Sequence, residues 1–344
     1  MFGKKKKVEH TIFDDWLQEA VFISGRVVFP EGDDPRILEM AEMAVQVGIG
    51  GIILLGDEVR MRQSLSRRAL HEVTLVDFKK AVEDPKYANA YYEARKHKGV
   101  TLDMAKEIVA HPVVIAALMV RLGHAEGMLA GVQAHTGDVL RAAFQLVGTA
   151  EGVKTASSCM VMEMPKGSSL GDKGVMIFAD CAVNTNPSPE ELAEITISTT
   201  KTASQLVGEE PRVAMLSYST KANENVKDEN IQKVKEAYAL VRRRNSSLIV
   251  DGEVQLDAAL VPSVAKQKCP NSVLEGKANI LIFPDLNSGN IGYKLVQRIA
   301  GVRAVGPILQ GLAKPINDLS RGANSEEVLL MLAVTKLQMK VKGE

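Results

Sequence analysis

The residue types best placed for chemistry lie near the C-terminus, in the run Gly306-Pro307-Ile308-Leu309-Gln310-Gly311-Leu312-Ala313-Lys314-Pro315-Ile316-Asn317-Asp318-Leu319-Ser320-Arg321-Gly322. Turn formers here surround a serine and an arginine next to a helix start. An arginine in that setting can grip phosphate through two parallel hydrogen bonds. Four further polar segments follow predicted strands: 30–36 after the first, Ser217-Tyr218-Ser219-Thr220-Lys221, Asp251-Gly252-Glu253, and Pro284-Asp285-Leu286-Asn287-Ser288-Gly289-Asn290. Open α/β sheets bind ligands at strand ends, and helix N-termini rich in Ser, Thr, Gly and Asn suit anions. One such segment means little, because turns are polar. Four at equivalent ends of strands imply a cleft.

Other chemistries find no support. No Gly-x-Gly-x-x-Gly follows a strand, and there is no Gly-Lys-Ser/Thr phosphate loop. No His-Glu-x-x-His or carboxylate cluster at metal spacing occurs, and the six histidines are scattered. Gly167-Ser168-Ser169-Leu170-Gly171 fits the Gly-x-Ser-x-Gly pattern, but a nucleophile elbow needs a helix directly after it. Residues 174–179 read as a strand, so turn composition explains the match. Cys159, Cys181 and Cys269 are odd in number and widely spaced, which indicates neither zinc nor a disulfide framework. Cys159 and Cys181 read as packed thiols.

Lys+Arg and Asp+Glu both number 42, so nothing global favours nucleic acid or an anionic membrane. Any anion site must be a local cluster of cations. No apolar run approaches the roughly 20 residues needed to span a bilayer. The Lys4–Lys7 run reads as a solvated tail without the apolar stretch of a signal peptide. The expected setting is cytoplasmic.

The elements that must position these residues alternate. Strands are predicted at 26–30, 51–56, 73–76 and 127–131. Asp34-Pro35 caps a helix over 36–47, and helices follow at about 84–97, 101–110, 112–122 and from Thr136 or Gly137. Residues 155–164 and 174–179 read as a β-hairpin with a long turn. Ser188-Pro189-Glu190-Glu191 caps a helix to about Val207. Strands at 213–217, 248–250, 279–283 and 304–309 and a closing helix at 326–337 complete the pattern. Such alternation argues for parallel sheets wrapped on both faces.

Four segments, Val213-Ala214-Met215-Leu216-Ser217-Tyr218-Ser219-Thr220, the 251–259 run opening Asp251-Gly252-Glu253, the 282–294 run ending Asn290-Ile291-Gly292-Tyr293-Lys294, and 306–322, resemble the phosphate acetyl/butyryl transferase family. The resemblance covers about Arg26 to Gln338, and the first 25 residues match poorly. It implies two three-layer α/β/α domains around a cleft, similar to the isocitrate and isopropylmalate dehydrogenase fold. Residues 1–153 with 311–344 would form one domain and 154–310 the other. It further implies a homodimer and reversible acetyl transfer between coenzyme A and inorganic phosphate, with no metal or cofactor. Transfer of butyryl or another short acyl chain is the alternative. The family's catalytic pair falls on Ser320 and Arg321, and its base, usually an aspartate seven residues later, on Glu327. Arg36, Arg95 and Arg141 fall on its functional arginines. Ser217, Ser219, Asn287, Asn290, Tyr293, Lys294 and Gln310 lie in the matching segments and are expected to contact coenzyme A or phosphate.

Other readings of these residues stand beside that one. With Asn324 as N-cap, Glu327 is the third helical residue and completes a capping box, so it can be base, cap or both. Arg95, at a basic helix end, can simply complement the helix dipole. Arg141 can be a snorkelling surface residue. A nicotinamide-dependent hydroxy-acid dehydrogenase on a similar fold would need a dinucleotide loop and metal-binding aspartates, which the sequence does not present.

Overall fold

Three helix starts use the caps that their residues provide. The Asp34 carboxylate accepts the Arg36 N–H, Pro35 takes the first helical position of Pro35–Val47, and Gly48 closes that helix at φ 88°. Ser188 with Glu191, and Asn324 with Glu327, form reciprocal capping boxes at the heads of Pro189–Leu206 and Ser325–Leu337. This computed structural model describes residues 10–340 apart from Glu224. The Lys4–Lys7 run lies outside them.

Eleven strands are described: β1 (Val27–Phe29), β2 (Ile52–Gly56), β3 (Val73–Asp77), β4 (Gly127–Ala130), β5 (Ser157–Glu163), β6 (Val175–Ala179), β7 (Arg212–Leu216), β8 (Ile249–Val254), β9 (Ile280–Ile282), β10 (Ala304–Gln310) and β11 (Ile316–Asp318). One sheet has the order β11-β4-β1-β2-β3 and is parallel throughout. The other has the order β10-β5-β6-β9-β7-β8, in which β5 runs antiparallel to both of its neighbours, β10 and β6, and the remaining pairs are parallel. After β10 leaves the second sheet, the chain returns to the first, where β11 joins its edge beside β4.

Successive strand residues face opposite layers, as the two-residue period requires. Val161, Ile177, Val213 and Ile280 pack toward helices Pro189–Leu206 and Glu229–Arg244. Met160, Met162, Phe178 and Leu281 pack the other way, with Tyr293 and Val296 of helix Leu286–Ile299. Both faces of each sheet are therefore covered, and one apolar core runs from the first sheet into the second through helix Ser325–Leu337.

Several expectations need correction. Helix Ile12–Ala20 occupies the region that matched poorly, packing Trp16 and Phe13 into the core. The strand expected at 248–250 runs on to Val254, so Asp251-Gly252-Glu253 is strand rather than loop. Its buried charges are satisfied by the neighbouring loop: Asp251 pairs with Lys221, and Glu253 accepts the Ala222 N–H at 2.6 Å. Polarity alone misplaces these residues because partners from another loop pay their desolvation. Strand β11 was not foreseen either, since Asn317 and Asp318 interrupt its apolar pattern.

Candidate active site

The C-terminal ends of β1, β4 and β11 lie side by side, and the loops leaving them form a polar framework. After β1, the buried Glu31 carboxylate accepts four consecutive backbone N–H groups of the β4 loop, from Gly131, Val132, Gln133 and Ala134, at 2.6–3.1 Å. Asp34 accepts two guanidinium bonds from Arg36 and one from the Gln133 amide. The Arg36 guanidinium hydrogen-bonded to Asp34 holds that carboxyl down at about 2. Arg36 then donates across to the β11 loop, reaching the carbonyls of Arg321 at 2.7 Å and Ala323 at 3.4 Å, and to Val132 O at 2.9 Å.

Ser320-Arg321 sits in the tight turn that this framework holds. The Ala323 N–H returns to Ser320 O at 2.9 Å, and the Gly322 N–H to Ser320 Oγ at 3.2 Å. Both Ser320 and Arg321 are exposed, and no described residue pairs with the Arg321 guanidinium. Helix Ser325–Leu337 starts directly after the turn, which brings Glu327 back alongside it. The Glu327 carboxylate accepts the Asn324 N–H at 3.1 Å while the Asn324 side chain accepts the Glu327 N–H at 2.9 Å. The capping reading of Glu327 is thus realised.

A cleft of about 270 Å³ opens at this turn, lined by Ser320, Gly322 and Glu327 on one side and by Tyr293, Lys294 and Gln297 on the other. Gly306 and Pro307 of β10 form part of its wall. Elements belonging to both sheets meet here. Asn290, one turn before Lys294, accepts its Nζ at 2.7 Å and donates to Cys181 O at 3.0 Å, which fixes the helix start against the end of β6.

Ser320, Glu327, Tyr293 and Lys294 are therefore brought together. Asn287 is exposed on the first turn of the same helix, while Ser217 and Ser219, at the end of β7, are half-buried and linked by a Ser219 N–H to Ser217 Oγ bond of 3.2 Å. The other expectations separate. Gln310 is buried, its Oε1 accepting from Ser157 and Thr199, and it lines a different cavity beside Lys201 and Lys314. Its place at the end of β10, invisible in a Gly/Pro-rich run, takes it out of the cleft. Arg141 is exposed, pairs with Asp138 at 2.7 Å and lines another cavity of about 390 Å³ with Tyr91, Glu107 and His111. Arg95 is half-buried at the end of helix Pro85–Arg95, and its Nε has no hydrogen-bond partner among the described residues.

Sequence reasoning missed Asp318. Two residues before Ser320, its carboxylate is buried: Oδ2 accepts from Thr136 Oγ1 at 2.7 Å, and Oδ1 has no hydrogen-bond partner among the described residues. Burial pushes this carboxyl up to about 6, partly offset by the Thr136 bond and helped by the nearby Glu31 charge. The only signal was a polar pair, Asn317-Asp318, within an otherwise apolar stretch. Glu31 and Gln133 were missed because their partners, the β4-loop backbone for Glu31 and the Asp34 carboxylate for Gln133, lie about 100 residues away in the chain.

Residues 12–336 match the model of the family described as Phosphate acetyl/butaryl transferase. A phosphate acetyltransferase from Thermoanaerobacterium thermosaccharolyticum is 43% identical over 328 residues, covering 95% of this chain and 99% of that protein. The crystal structure of a phosphotransacetylase from Streptococcus pyogenes superposes with a TM-score of 0.85 at 37% identity, covering 95% of this chain and 98% of that one. At 14% identity, a 4-hydroxythreonine-4-phosphate dehydrogenase from Klebsiella pneumoniae superposes with a TM-score of 0.51 over 92% of this chain and 100% of its own, a likeness of fold alone. The dehydrogenase-like α/β architecture expected from the sequence is the one observed.

Proposed function

The chain belongs to the phosphate acetyl/butyryl transferase family, and we propose that it is an acyltransferase moving acetyl reversibly between coenzyme A and inorganic phosphate. The observation that carries this reading is the Ser320-Arg321 turn: the exposed Arg321 guanidinium has no partner among the described residues, Ser320 lines the cleft with Glu327, and Arg36 holds the turn's backbone carbonyls.

Both substrates bind before the transfer. A free thiol titrates near 8.5, so little thiolate exists at neutral pH and a nearby carboxylate speeds the step. Glu327 takes the coenzyme A thiol proton, and the sulfur attacks the carbonyl carbon of acetyl phosphate. Negative charge grows on the carbonyl oxygen, where Arg321 and the Ser320 hydroxyl stabilise it. One such donor is typically worth about 2.7–4 kcal/mol. The carbon–oxygen bond then breaks, and phosphate leaves with its electron pair. Held by cations, phosphate is already a good leaving group, so the reaction as proposed uses neither metal nor cofactor. In the reverse direction a phosphate oxygen attacks the thioester and Glu327 returns the proton to sulfur.

Lys294 and Tyr293, across the cleft, are proposed to contact the substrates, with Ser217, Ser219, Asn287 and Asn290 at the neighbouring strand and helix ends and Arg95 and Arg141 farther along the chain. The division into residues 1–153 with 311–344 and 154–310 is proposed with it, supported by the membership of the two sheets. So is a homodimer, which the exposed Ile291, Leu295 and Ile299, spaced four apart along one helix, support as an apolar stripe of the kind subunits cover. A cytoplasmic setting completes the proposal. Among the described residues, no helix is long and apolar enough to cross a membrane.

The test is thiol release from acetyl-, propionyl- and butyryl-CoA, with and without phosphate. Release that requires phosphate and is fastest with acetyl-CoA is expected. No phosphate-dependent release from any of the three sinks the acyltransferase reading, and a maximum at butyryl-CoA moves the substrate assignment alone.

A further inference from the structure

The family resemblance makes Arg36 a contact of coenzyme A or phosphate, but its hydrogen bonds give it other work. A guanidinium offers five N–H donors. In this chain Nε donates to Asp34 Oδ1 at 2.9 Å, and Nη2 donates to Asp34 Oδ2 and to Val132 O, each at 2.9 Å. Nη1 donates to Arg321 O at 2.7 Å and to Ala323 O at 3.4 Å. All five donors are used on the protein, so a phosphate could be gripped only by breaking bonds that Arg36 already makes.

What those bonds hold is specific. The two carbonyls bracket Gly322 in the turn that presents Ser320 and Arg321. Val132 belongs to the loop whose four N–H groups Glu31 collects. Asp34, anchored as the N-cap of helix Pro35–Val47, fixes the fork from behind. Arg36 thus ties the loops after β1, β4 and β11 to one point, directly under the Arg321 main chain.

We infer that Arg36 is a positioning residue: it aims the Arg321 guanidinium by holding the Arg321 and Ala323 carbonyls, and does not itself contact substrate. The inference rests on the acyl-transfer reading, because it concerns how that site is held. A misplacement of about 1 Å can cost on the order of 100-fold in rate without weakening binding. An ammonium has three donors on a point charge and cannot reproduce the planar fork, so lysine is a discriminating replacement.

Arg36→Lys and Arg36→Gln are compared with wild type for kcat and for KM toward coenzyme A and acetyl phosphate, with coenzyme A binding measured separately by calorimetry and folding by circular dichroism. The expected result is a kcat lowered about 10–100-fold, with both KM values and the calorimetric Kd within about threefold of wild type. Asp34→Asn, which loosens the fork but keeps the guanidinium, should show the same selective loss in kcat and carries the test if the Arg36 variants fail to fold. A KM or Kd raised tenfold or more with kcat nearly unchanged makes Arg36 a ligand contact and overturns the inference. Wild-type kinetics in every variant overturns it as well. A wild-type enzyme with no phosphate-dependent acyl transfer fails the underlying reading instead, and that outcome is read before any variant is made.

Discussion

Glu327 faces the cleft while its carboxylate accepts the Asn324 N–H, and a single substitution separates its two roles. Glutamine retains the capping-box geometry but cannot take a proton. Glu327→Gln is therefore expected to lower kcat about 100-fold or more while leaving the melting temperature within a degree or two. Full turnover in that variant would reduce Glu327 to a cap. Asp318 makes a second prediction at this scale. Its carboxyl is raised from 3.8 to about 6 by burial, so it costs nothing when protonated in both states and disfavours the fold once ionised. The stability it confers is fully present below about pH 3.8 and is lost as pH rises through about 6, by up to ~3 kcal/mol. Asp318→Asn should gain on wild type between pH 4 and pH 7 in denaturant titrations, and a pH-independent difference would contradict the assignment. Among the proposed site residues, Ser320 and Arg321 stand out in the sequence because their segment is unusual in composition, and the capping role of Glu327 was legible from its spacing after Asn324. Asp318 and Glu31 were not, because a buried polar residue reads in sequence like any turn residue until its partner is known.

At the scale of elements, the ends of β4 and β11 must come unusually close. Gly131 has φ 123°, and a Cβ there would stand 2.5 Å from both Asp318 Oδ1 and Leu319 O. Gly131→Ala should push the β11 end, and the Ser320 turn after it, away from the β4 loop. We expect a loss of about 1–3 kcal/mol in stability together with a fall in kcat, measured by urea titration and steady-state kinetics. A variant as stable and active as wild type would show that the close approach is dispensable. Helices were easier to read than strands in this chain. Asp34-Pro35, Ser188-Pro189 and Asn324 are local signals whose caps need only neighbouring residues. Strand β8 continues through Asp251 and Glu253, and β11 carries Asn317, whose amide bonds Thr335 and Gln338 and whose oxygen accepts the Leu309 N–H. Those partners lie on other elements, so no local pattern announces them.

Across the whole molecule, the two sheets share one apolar core rather than meeting at a wet seam. Helix Ile12–Ala20 adds to it: Trp16, the chain's single tryptophan, is buried and donates its indole N–H to Leu206 O at 2.7 Å. Unfolding followed by Trp16 fluorescence and by far-ultraviolet circular dichroism should therefore give coincident transitions, whereas two separated transitions would mean the sheets are held independently. The same continuity sets the Ser320-Arg321 turn where elements of both sheets face one cleft, and the central proposal is that this turn is the reacting centre. Its most direct test is the rate of acetyl phosphate formation from acetyl-CoA and phosphate by Arg321→Ala, with the fold checked by the same fluorescence signal. The account predicts an intact fold and a kcat reduced about 100- to 1000-fold; turnover at the wild-type rate would place the chemistry elsewhere.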